Sequence, residues 1–255
     1  MKALALAAGR GTRLRPLTDH TPKPVLEVAG RPVLEHILRG LRAAGVAEAM
    51  VVVGHLGEQV EARFGDGARL GMRLHYRRQA ALSGTAAAAL LAEDWLGDRP
   101  FALTWGDILT DWGNYRRLLD TFRREPCDAL LGLNEVEGPA AGAAVYREGS
   151  RITRIVEKPR PGTSTTRWNN AGVMVLTPAV WPILKGLQAS ARGEYELPQG
   201  IGTMVREGHR VCGVEFEGFW SDVGRPEDVA LLTDLHARGR LSDELRLAEE
   251  GIVSG

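Results

Sequence analysis

Apolar and polar positions follow two alternating patterns through the first half of the chain. Short apolar runs rich in β-prone residues predict buried strands at residues 4–8, 50–53, 73–78 and 101–104. Apolar positions at helical spacing predict a helix from Pro32 to Gly45, and a second helix over residues 86–91 that Ser83 is expected to cap. This alternation is typical of βα units around a mainly parallel, buried sheet.

The pattern changes near residue 128, where β-rich segments separated by loops of Gly, Pro, Ser and Thr take over. They predict strands at residues 129–133, 143–146, 172–176 and 211–216, and a last helix begins near Pro226. We therefore expect a single α/β domain over residues 1–255, with a Rossmann-like, mixed, mainly parallel sheet flanked by helices and a β-rich second half. Its three parts are about 1–127, 128–224 and a C-terminal helical segment at about 225–250.

Composition and charge exclude several classes of partner. The 32 basic and 32 acidic side chains balance to zero, so we expect no general attraction to nucleic acid or anionic membranes, and any phosphate site must be local. No run reaches the roughly 18 apolar residues of a membrane span, and the first residues do not read as a secretory signal. Cys127 and Cys212 are too few for a disulfide framework and are expected to be buried, reduced thiols. These features predict a cytoplasmic protein.

A glycine-rich turn follows the first predicted strand. At Gly9 and Gly11 the missing side chains let backbone N–H groups approach phosphate oxygens, and Arg13 lies close by. The spacing is neither that of a P-loop nor that of a full dinucleotide fingerprint, because Leu14 stands where the third glycine would be. A plain strand-to-helix turn with a solvated arginine is the alternative.

Lys23 lies downstream between Pro22 and Pro24, which we expect to hold it in a stiff, extended segment directed at a phosphate. Residues 9–18, GRGTRLRPLT, and residues 22–24, PKP, closely resemble the signature of the sugar-1-phosphate nucleotidylyltransferases at every fixed position. The resemblance implies two catalytic residues. Arg13 would hold the β and γ phosphates that leave as pyrophosphate, and Lys23 would bridge the α-phosphate and the sugar phosphate. The nucleotide would also contact Leu6, Ala8, Gly9, Gly11 and Thr12.

Residues 79–85 resemble the segment with which this family reads the base, which would add Gln79, Gly84 and Thr85 to the nucleotide site. A glutamine amide offers one donor and one acceptor, which fits the imide edge of uracil or thymine. We therefore favour UTP or dTTP over GTP. The alternative is an exposed turn glutamine before a helix.

Two aspartates resemble the magnesium ligands of the family. Asp107 follows the strand at residues 101–104, and the carboxyl end of a parallel strand is where open α/β sheets bind ligands. Asp222 lies in a glycine-bounded turn far downstream. A hard cation on triphosphate oxygens takes one or two carboxylates, which suits Mg²⁺. Either aspartate alone could be a turn residue, and Asp111 is a nearby competitor for the role of Asp107.

Four further residues resemble the elements that bind the sugar phosphate. Glu157 would accept hydrogen bonds from sugar hydroxyls and Lys158 would reach the phosphate. Asn170, in preference to Asn169, would lie in a turn that introduces the next strand. Glu194 resembles an acidic element, although Glu196 could take its part. A charged pair before Pro159 is otherwise often just a solvated strand end.

The resemblance implies a nucleotidyltransferase whose partners are a nucleoside triphosphate and a sugar 1-phosphate. The first half would bind the nucleotide and the second half the sugar. The products would be a nucleotide sugar and pyrophosphate, formed by magnesium-assisted in-line attack at the α-phosphorus. Two alternatives remain open: a non-sugar phosphate or phosphonate acceptor with CTP or a similar nucleotide, and a non-catalytic sensor of nucleotide sugars. The sugar stays open, and so does the oligomeric state, a homo-oligomer included.

Overall fold

One nine-stranded sheet runs through both predicted halves of the protein, a computed structural model that describes residues 1–238. The described strands are β1 (Ala3–Ala7), β2 (Glu27–Val28), β3 (Arg31–Pro32), β4 (Glu48–Val53), β5 (Arg73–Arg78), β6 (Phe101–Trp105), β7 (Ile108–Thr110), β8 (Ala129–Glu135), β9 (Ala143–Glu148), β10 (Arg151–Glu157), β11 (Trp168–Leu176), β12 (Val211–Glu215) and β13 (Trp220–Asp222). The described α-helices are α1 (Val33–Ala43), α2 (Gly57–Phe64), α3 (Thr85–Leu90), α4 (Glu93–Leu96), α5 (Trp112–Arg124), α6 (Val180–Lys185), α7 (Leu197–Arg206) and α8 (Pro226–Ala237).

The strand order in this sheet is β5-β4-β1-β6-β11-β8-β12-β10-β9. The first four strands are parallel to one another. Strand β11 inserts antiparallel between β6 and β8, β12 is parallel to β8, and β10 and β9 add an antiparallel edge. The mixed α/β, Rossmann-like class is thus confirmed, and its parallel part is concentrated in the first half. Two small sheets, β2-β3 and β7-β13, lie outside the large one.

The central strands of the sheet are buried on both faces, which explains their near-continuous apolar runs. In β1 the side chains of Ala3, Ala5 and Ala7 pack into the core that contains α1 and α5. Leu4 and Leu6 point the other way, into the core that contains α3, α6 and α7. The strand therefore has every residue buried, as expected at the centre of a doubly covered sheet.

Some local predictions differ from the structure. The described elements that were not predicted are the helices α2, α4, α5, α6 and α7 and the strands β2, β3, β7, β10 and β13. Ser83 does not cap a helix, because α3 begins after Gly84 and the Ser83 hydroxyl donates to the carbonyl of Ala81 at 3.3 Å. The start of α8 at Pro226 is confirmed, and the rest of the C-terminal segment predicted to reach residue 250 lies outside the described residues beyond 238.

Two other sequence predictions concern whole-chain properties. Both Cys127 and Cys212 are buried free thiols, as predicted. Within residues 1–238, no helix combines the length and the apolar character that a bilayer crossing requires.

Helices α1 and α5 pack closely because Gly40 has no side chain where α1 meets Tyr115. A Cβ built at Gly40 would lie 2.5 and 2.7 Å from two ring carbons of Tyr115, well inside van der Waals contact. The Tyr115 ring is only 2% exposed and has no space to swing aside. Gly113, at the exposed start of α5, is a matched helical glycine whose added Cβ would meet no described atom within 4 Å.

We expect Gly40→Ala to lower the free energy of unfolding by about 1–2 kcal/mol, because overpacking outweighs the gain of up to about 1 kcal/mol from replacing a helical glycine. Gly113→Ala should raise the free energy of unfolding by a few tenths to about 1 kcal/mol. Urea unfolding of both variants measures the difference. Equal stability of the two variants would contradict the packing argument.

Candidate active site

A cleft of about 730 Å³ opens beyond the carboxyl ends of the parallel strands β1 and β6. Every site residue predicted from the sequence lines it: Leu6, Ala8, Gly9, Gly11, Thr12, Arg13, Lys23, Gln79, Gly84, Thr85, Asp107, Glu157, Lys158, Asn170, Glu194 and Asp222. Residues from both halves of the chain thus face one cavity, at the edge of the sheet where open α/β folds bind ligands.

The glycine loop is supported from behind and open towards the cleft. Gly11 has a left-handed backbone with φ of 63°, and its carbonyl accepts a hydrogen bond from the Thr18 hydroxyl at 2.8 Å. A Cβ at Gly54 would overlap the carbonyl oxygen of Ala8, so the residue that follows β4 packs directly against the loop. At Gly9 no atom of residues 1–238 lies within 4 Å of an added Cβ. The loop therefore offers an accessible backbone on a rigid support.

Lys23 forms an ion pair at the centre of the cleft. Its Nζ lies 2.6 Å from Oδ2 of Asp107, and the Lys23 side chain is only 11% exposed. The expectation of an extended segment is wrong, because Lys23–Val25 forms a 3₁₀ turn closed by a hydrogen bond from Val25 N to Pro22 O at 2.8 Å. Pro22, before the turn, is extended. The turn places the Lys23 ammonium in the cleft, against Asp107.

Asp107 and Asp222 are brought together by the two-stranded sheet β7-β13. Its register sets Asp222 opposite Ile108, and Val223 N donates to the carbonyl of Asp107 at 2.9 Å. Burial raises the pKa of Asp222, and the negative charge of Asp107 raises it further. A Cβ at Gly224 would lie 3.2 Å from Oδ2 of Asp222 and 3.5 Å from Nη2 of Arg13.

This donor set fits a hard divalent cation. Two carboxylates that repel one another in a half-buried cleft would be stabilised by Mg²⁺, which takes one or two carboxylates and completes its shell with water or phosphate oxygens. No cluster of three or more metal-ligating side chains occurs within the part of the chain that the structure describes. Asp111 is not a competitor, because it lies outside the cleft lining and its Oδ2 accepts a hydrogen bond from Phe219 N at 2.9 Å.

Gln79 is buried rather than an exposed turn residue. Its Nε2 donates to the carbonyl of Gly84 at 3.1 Å, which closes the loop between β5 and α3. Gly84 adopts φ of 103°, a conformation that favours glycine. The amide of Gln79 thus lines the cleft in a fixed orientation.

Glu157 and Lys158 lie at the end of β10. Burial raises the pKa of Glu157 to about 7, and the nearby carboxylate of Glu196 adds to the effect while Lys158 and Arg192 oppose it. The Glu157 Oε1 lies 3.7 Å from Lys158 Nζ and 3.9 Å from an Nη of Arg192. This carboxyl is therefore a partly desolvated group whose charge changes near neutral pH.

The two adjacent asparagines lie within β11, not in a turn before it as expected. Asn169 is used internally: its Nδ2 donates to Asn134 Oδ1 at 3.0 Å, and its Oδ1 accepts from Ala143 N at 3.2 Å. Asn170 Oδ1 accepts from Gly172 N at 3.0 Å, whereas its buried Nδ2 has no hydrogen-bond partner within residues 1–238. An amide with an unused donor favours Asn170 as the ligand-binding member of the pair.

Sequence reasoning missed the pair formed by Arg192 and Glu196. Both line the cleft, Glu196 is buried, and Arg192 Nε donates to Glu196 Oε1 at 3.1 Å. The Ser190 hydroxyl donates to the same oxygen, also at 3.1 Å. The sequence feature that could have revealed this pair is the spacing of four residues between the oppositely charged Arg192 and Glu196, which lie on either side of Glu194. Trp105 also lines the cleft and could have been found from its position directly before Gly106 and Asp107.

Comparison with known proteins agrees with this geometry. The family model described as nucleotidyl transferase matches residues 2–236. A glucose-1-phosphate thymidylyltransferase of Streptomyces antibioticus is 35% identical over 93% of this chain and 68% of its own length. The UTP–glucose-1-phosphate uridylyltransferase AglF of Haloferax volcanii is 34% identical over 98% of this chain and 100% of its own length.

A solved structure has the same fold. A Bacillus anthracis protein, crystallised with sucrose as a candidate glucose-1-phosphate thymidylyltransferase, superposes with a TM-score of 0.84 over 96% of this chain and 99% of its own, at 26% identity. The chain therefore belongs to the nucleotidyl transferase family and is an enzyme of the sugar-1-phosphate nucleotidyltransferase type.

Proposed function

We propose that this enzyme transfers the nucleotidyl group of UTP or dTTP to a sugar 1-phosphate and releases pyrophosphate. The observation that carries the proposal is the single cleft in which the glycine loop, the Lys23–Asp107 pair and the acidic residues after β10 face one another. The relatives are named for glucose 1-phosphate with thymidylyl or uridylyl transfer, so glucose 1-phosphate is the first sugar substrate that we would test.

In the proposed reaction, a phosphate oxygen of the sugar 1-phosphate attacks the α-phosphorus in line with the departing pyrophosphate. That oxygen is already anionic, so the residues of the cleft act mainly by positioning and by neutralising charge. Arg13 would bind the β and γ phosphates, and the accessible amides near Gly9 and Gly11 would add fixed dipoles. Lys23, with its ammonium little exposed to water, would act on the α-phosphate with weak screening.

Asp107 and Asp222 are the residues that would hold Mg²⁺. When bound, Mg²⁺ supplies further neutralisation of the triphosphate charge. The adjacent carboxylates support this assignment, because the charge of Asp107 raises the pKa of Asp222, and a shared cation would relieve the repulsion. Arg13, beside Gly224, lies within reach of the same region.

The base preference rests on Gln79. Its buried amide, held against Gly84, would pair with the imide edge of uracil or thymine, which offers one donor between two acceptors.

The preference for a sugar 1-phosphate as the acceptor substrate rests on the second half of the chain. Glu157 and Glu194 supply acceptors and Asn170 an unused donor in the same cleft, and a neutral ring of hydroxyls needs such groups more than a choline-like or phosphonate acceptor would.

We expect pyrophosphate release with Mg²⁺, glucose 1-phosphate and either UTP or dTTP, at a kcat/KM about tenfold or more above that with GTP. A panel of the nucleoside triphosphates crossed with sugar 1-phosphates and choline phosphate measures this, and excess EDTA should abolish the release. A preference for GTP would refute the base assignment. Release only with choline phosphate would refute the sugar acceptor, and no release with any pair would favour a sensor.

Removing the Lys23 ammonium should slow the reaction strongly. We expect Lys23→Ala to lower kcat/KM by about 10²-fold or more, because it removes a desolvated charge from the reacting phosphates. Lys185→Ala is the control, since Lys185 pairs with Glu93 on an exposed surface. Steady-state kinetics of the two variants decide the matter, and near-normal turnover by Lys23→Ala would exclude the proposed role.

The acidity of Glu157 predicts a pH-dependent affinity for the sugar. With a pKa of about 7, Glu157 is mostly protonated at pH 6 and mostly ionised at pH 8. The ionised form accepts hydrogen bonds from hydroxyls at both oxygens, so the KM for sugar 1-phosphate should fall several-fold as pH rises over this range. The Glu157→Gln variant should lack the part of this pH dependence that is due to Glu157 and should retain only the part caused by ionisation of the substrate phosphate. Identical pH profiles for the two proteins would contradict the prediction.

A further inference from the structure

The segment that is proposed to read the base is bound directly to the segment that carries the acidic residues of the sugar side. Tyr195 N donates to Ser83 O at 2.8 Å, and Ala86 N donates to Tyr195 O at 2.9 Å. Leu197 N donates to Thr85 Oγ1 at 2.9 Å. We refer to these three hydrogen bonds, between residues 83–86 and residues 195–197, as the clasp.

Close packing makes the clasp stiff. A Cβ at Gly84 would overlap the carbonyl oxygen of Tyr195 and would lie 2.7 Å from the Tyr195 nitrogen. The two backbones are therefore in direct contact, with no side chain between them. A shift of either segment would therefore strain these hydrogen bonds or move the other segment.

Thr85 has an unexpected place in this arrangement. Its position after Gln79 and Gly84 suggests a contact with the nucleotide, but its hydroxyl oxygen accepts the hydrogen bond from the first residue of α7. The N–H groups of a first helical turn have no partner within the helix, and Leu197 is fully buried, so this donor depends on Thr85. Thr85 thus fixes the start of α7.

The residues next to this anchor form the sugar side of the cleft. Glu194 lines the cleft, and Glu196, between Tyr195 and Leu197, is buried and paired with Arg192. Arg192 in turn lies 3.9 Å from Glu157. A displacement at Leu197 would therefore move Glu196, and with it the charges that surround Glu157.

We propose that Thr85 is a positioning residue for the sugar 1-phosphate, and that the clasp couples the occupancy of the nucleotide site to the shape of the sugar site. The inference rests on the proposed function, since it assumes that the acceptor binds beside Glu157 and Glu194. Thr85 acts through Leu197 and Glu196 and not through the base.

The variant Thr85→Val keeps the shape of the side chain and removes the acceptor, whereas Thr85→Ser keeps the acceptor. We expect Thr85→Val to raise the KM for sugar 1-phosphate about tenfold, which corresponds to about 1.4 kcal/mol, and to change the KM for the triphosphate by less than about twofold. Thr85→Ser should behave like the unmodified enzyme. A rise in the triphosphate KM as large as that for the sugar, or no change in either, would overturn the proposal.

Hydrogen exchange on the unmodified protein tests the coupling without any variant. A non-hydrolysable analogue of UTP or dTTP, added with Mg²⁺ and without sugar, should slow exchange of the Tyr195 and Leu197 amides. Unchanged exchange at both amides with the analogue bound would overturn the coupling. Loss of all turnover with every substrate pair would instead refute the proposed function, while the exchange result would still report on the clasp.

Discussion

The ion pair between Lys23 and Asp107 is the contact on which the rest of the cleft depends. It joins residues 84 positions apart in sequence, and its lysine is almost withdrawn from water. A charge in such a place must be paired, so the turn after the glycine loop and the end of β6 are held in one arrangement. Asp107 also binds the chain of β13 through its carbonyl, which brings Asp222 alongside. The ion pair thus joins two distant segments, and the backbone hydrogen bond at Asp107 adds the third.

The two sides of the cleft use different chemistry, and each suits the proposed ligand. The side that is proposed to bind the nucleotide presents an open backbone at Gly9 together with Arg13 and Lys23, which suits an anionic triphosphate. The side that is proposed to bind the sugar presents carboxylates whose charges are balanced nearby, Glu196 by Arg192 and Glu157 in part by Lys158. The neutral hydroxyls of a sugar need hydrogen-bond acceptors such as carboxylates. Burying an ionised carboxylate costs free energy unless a cation lies close to it. A chain with zero net charge can therefore hold strongly charged surfaces locally.

The sequence predicted those parts of the fold that follow from local pattern. Strand β5 was predicted at its observed bounds, and β1 within one residue, because strand-forming runs and glycine turns are short-range signals. The expectation that β5 is buried is wrong, because it is an edge strand in which only Leu74 is buried. The insertion of β11 between β6 and β8 was not predictable, since strand order depends on packing between segments far apart in the chain. Helix α5 was missed because its charged residues are as numerous as the residues of its buried stripe, and that stripe includes the polar Asn114.

The sequence predicted which residues line the site more completely than it predicted how they contact one another, and the reason is physical. Motifs report residue types, whereas the partner of each side chain is set by the fold. Asn169 and Asn170 are identical in type, yet one completes a buried network with Asn134 and the other keeps a donor unused. Gly84 likewise suggested close approach to a base, and the structure adds that its other side touches the backbone of Tyr195. A glycine packed between two segments restricts the positions of both. A residue that the sequence assigns to the nucleotide can therefore also determine the geometry of the site proposed for the sugar.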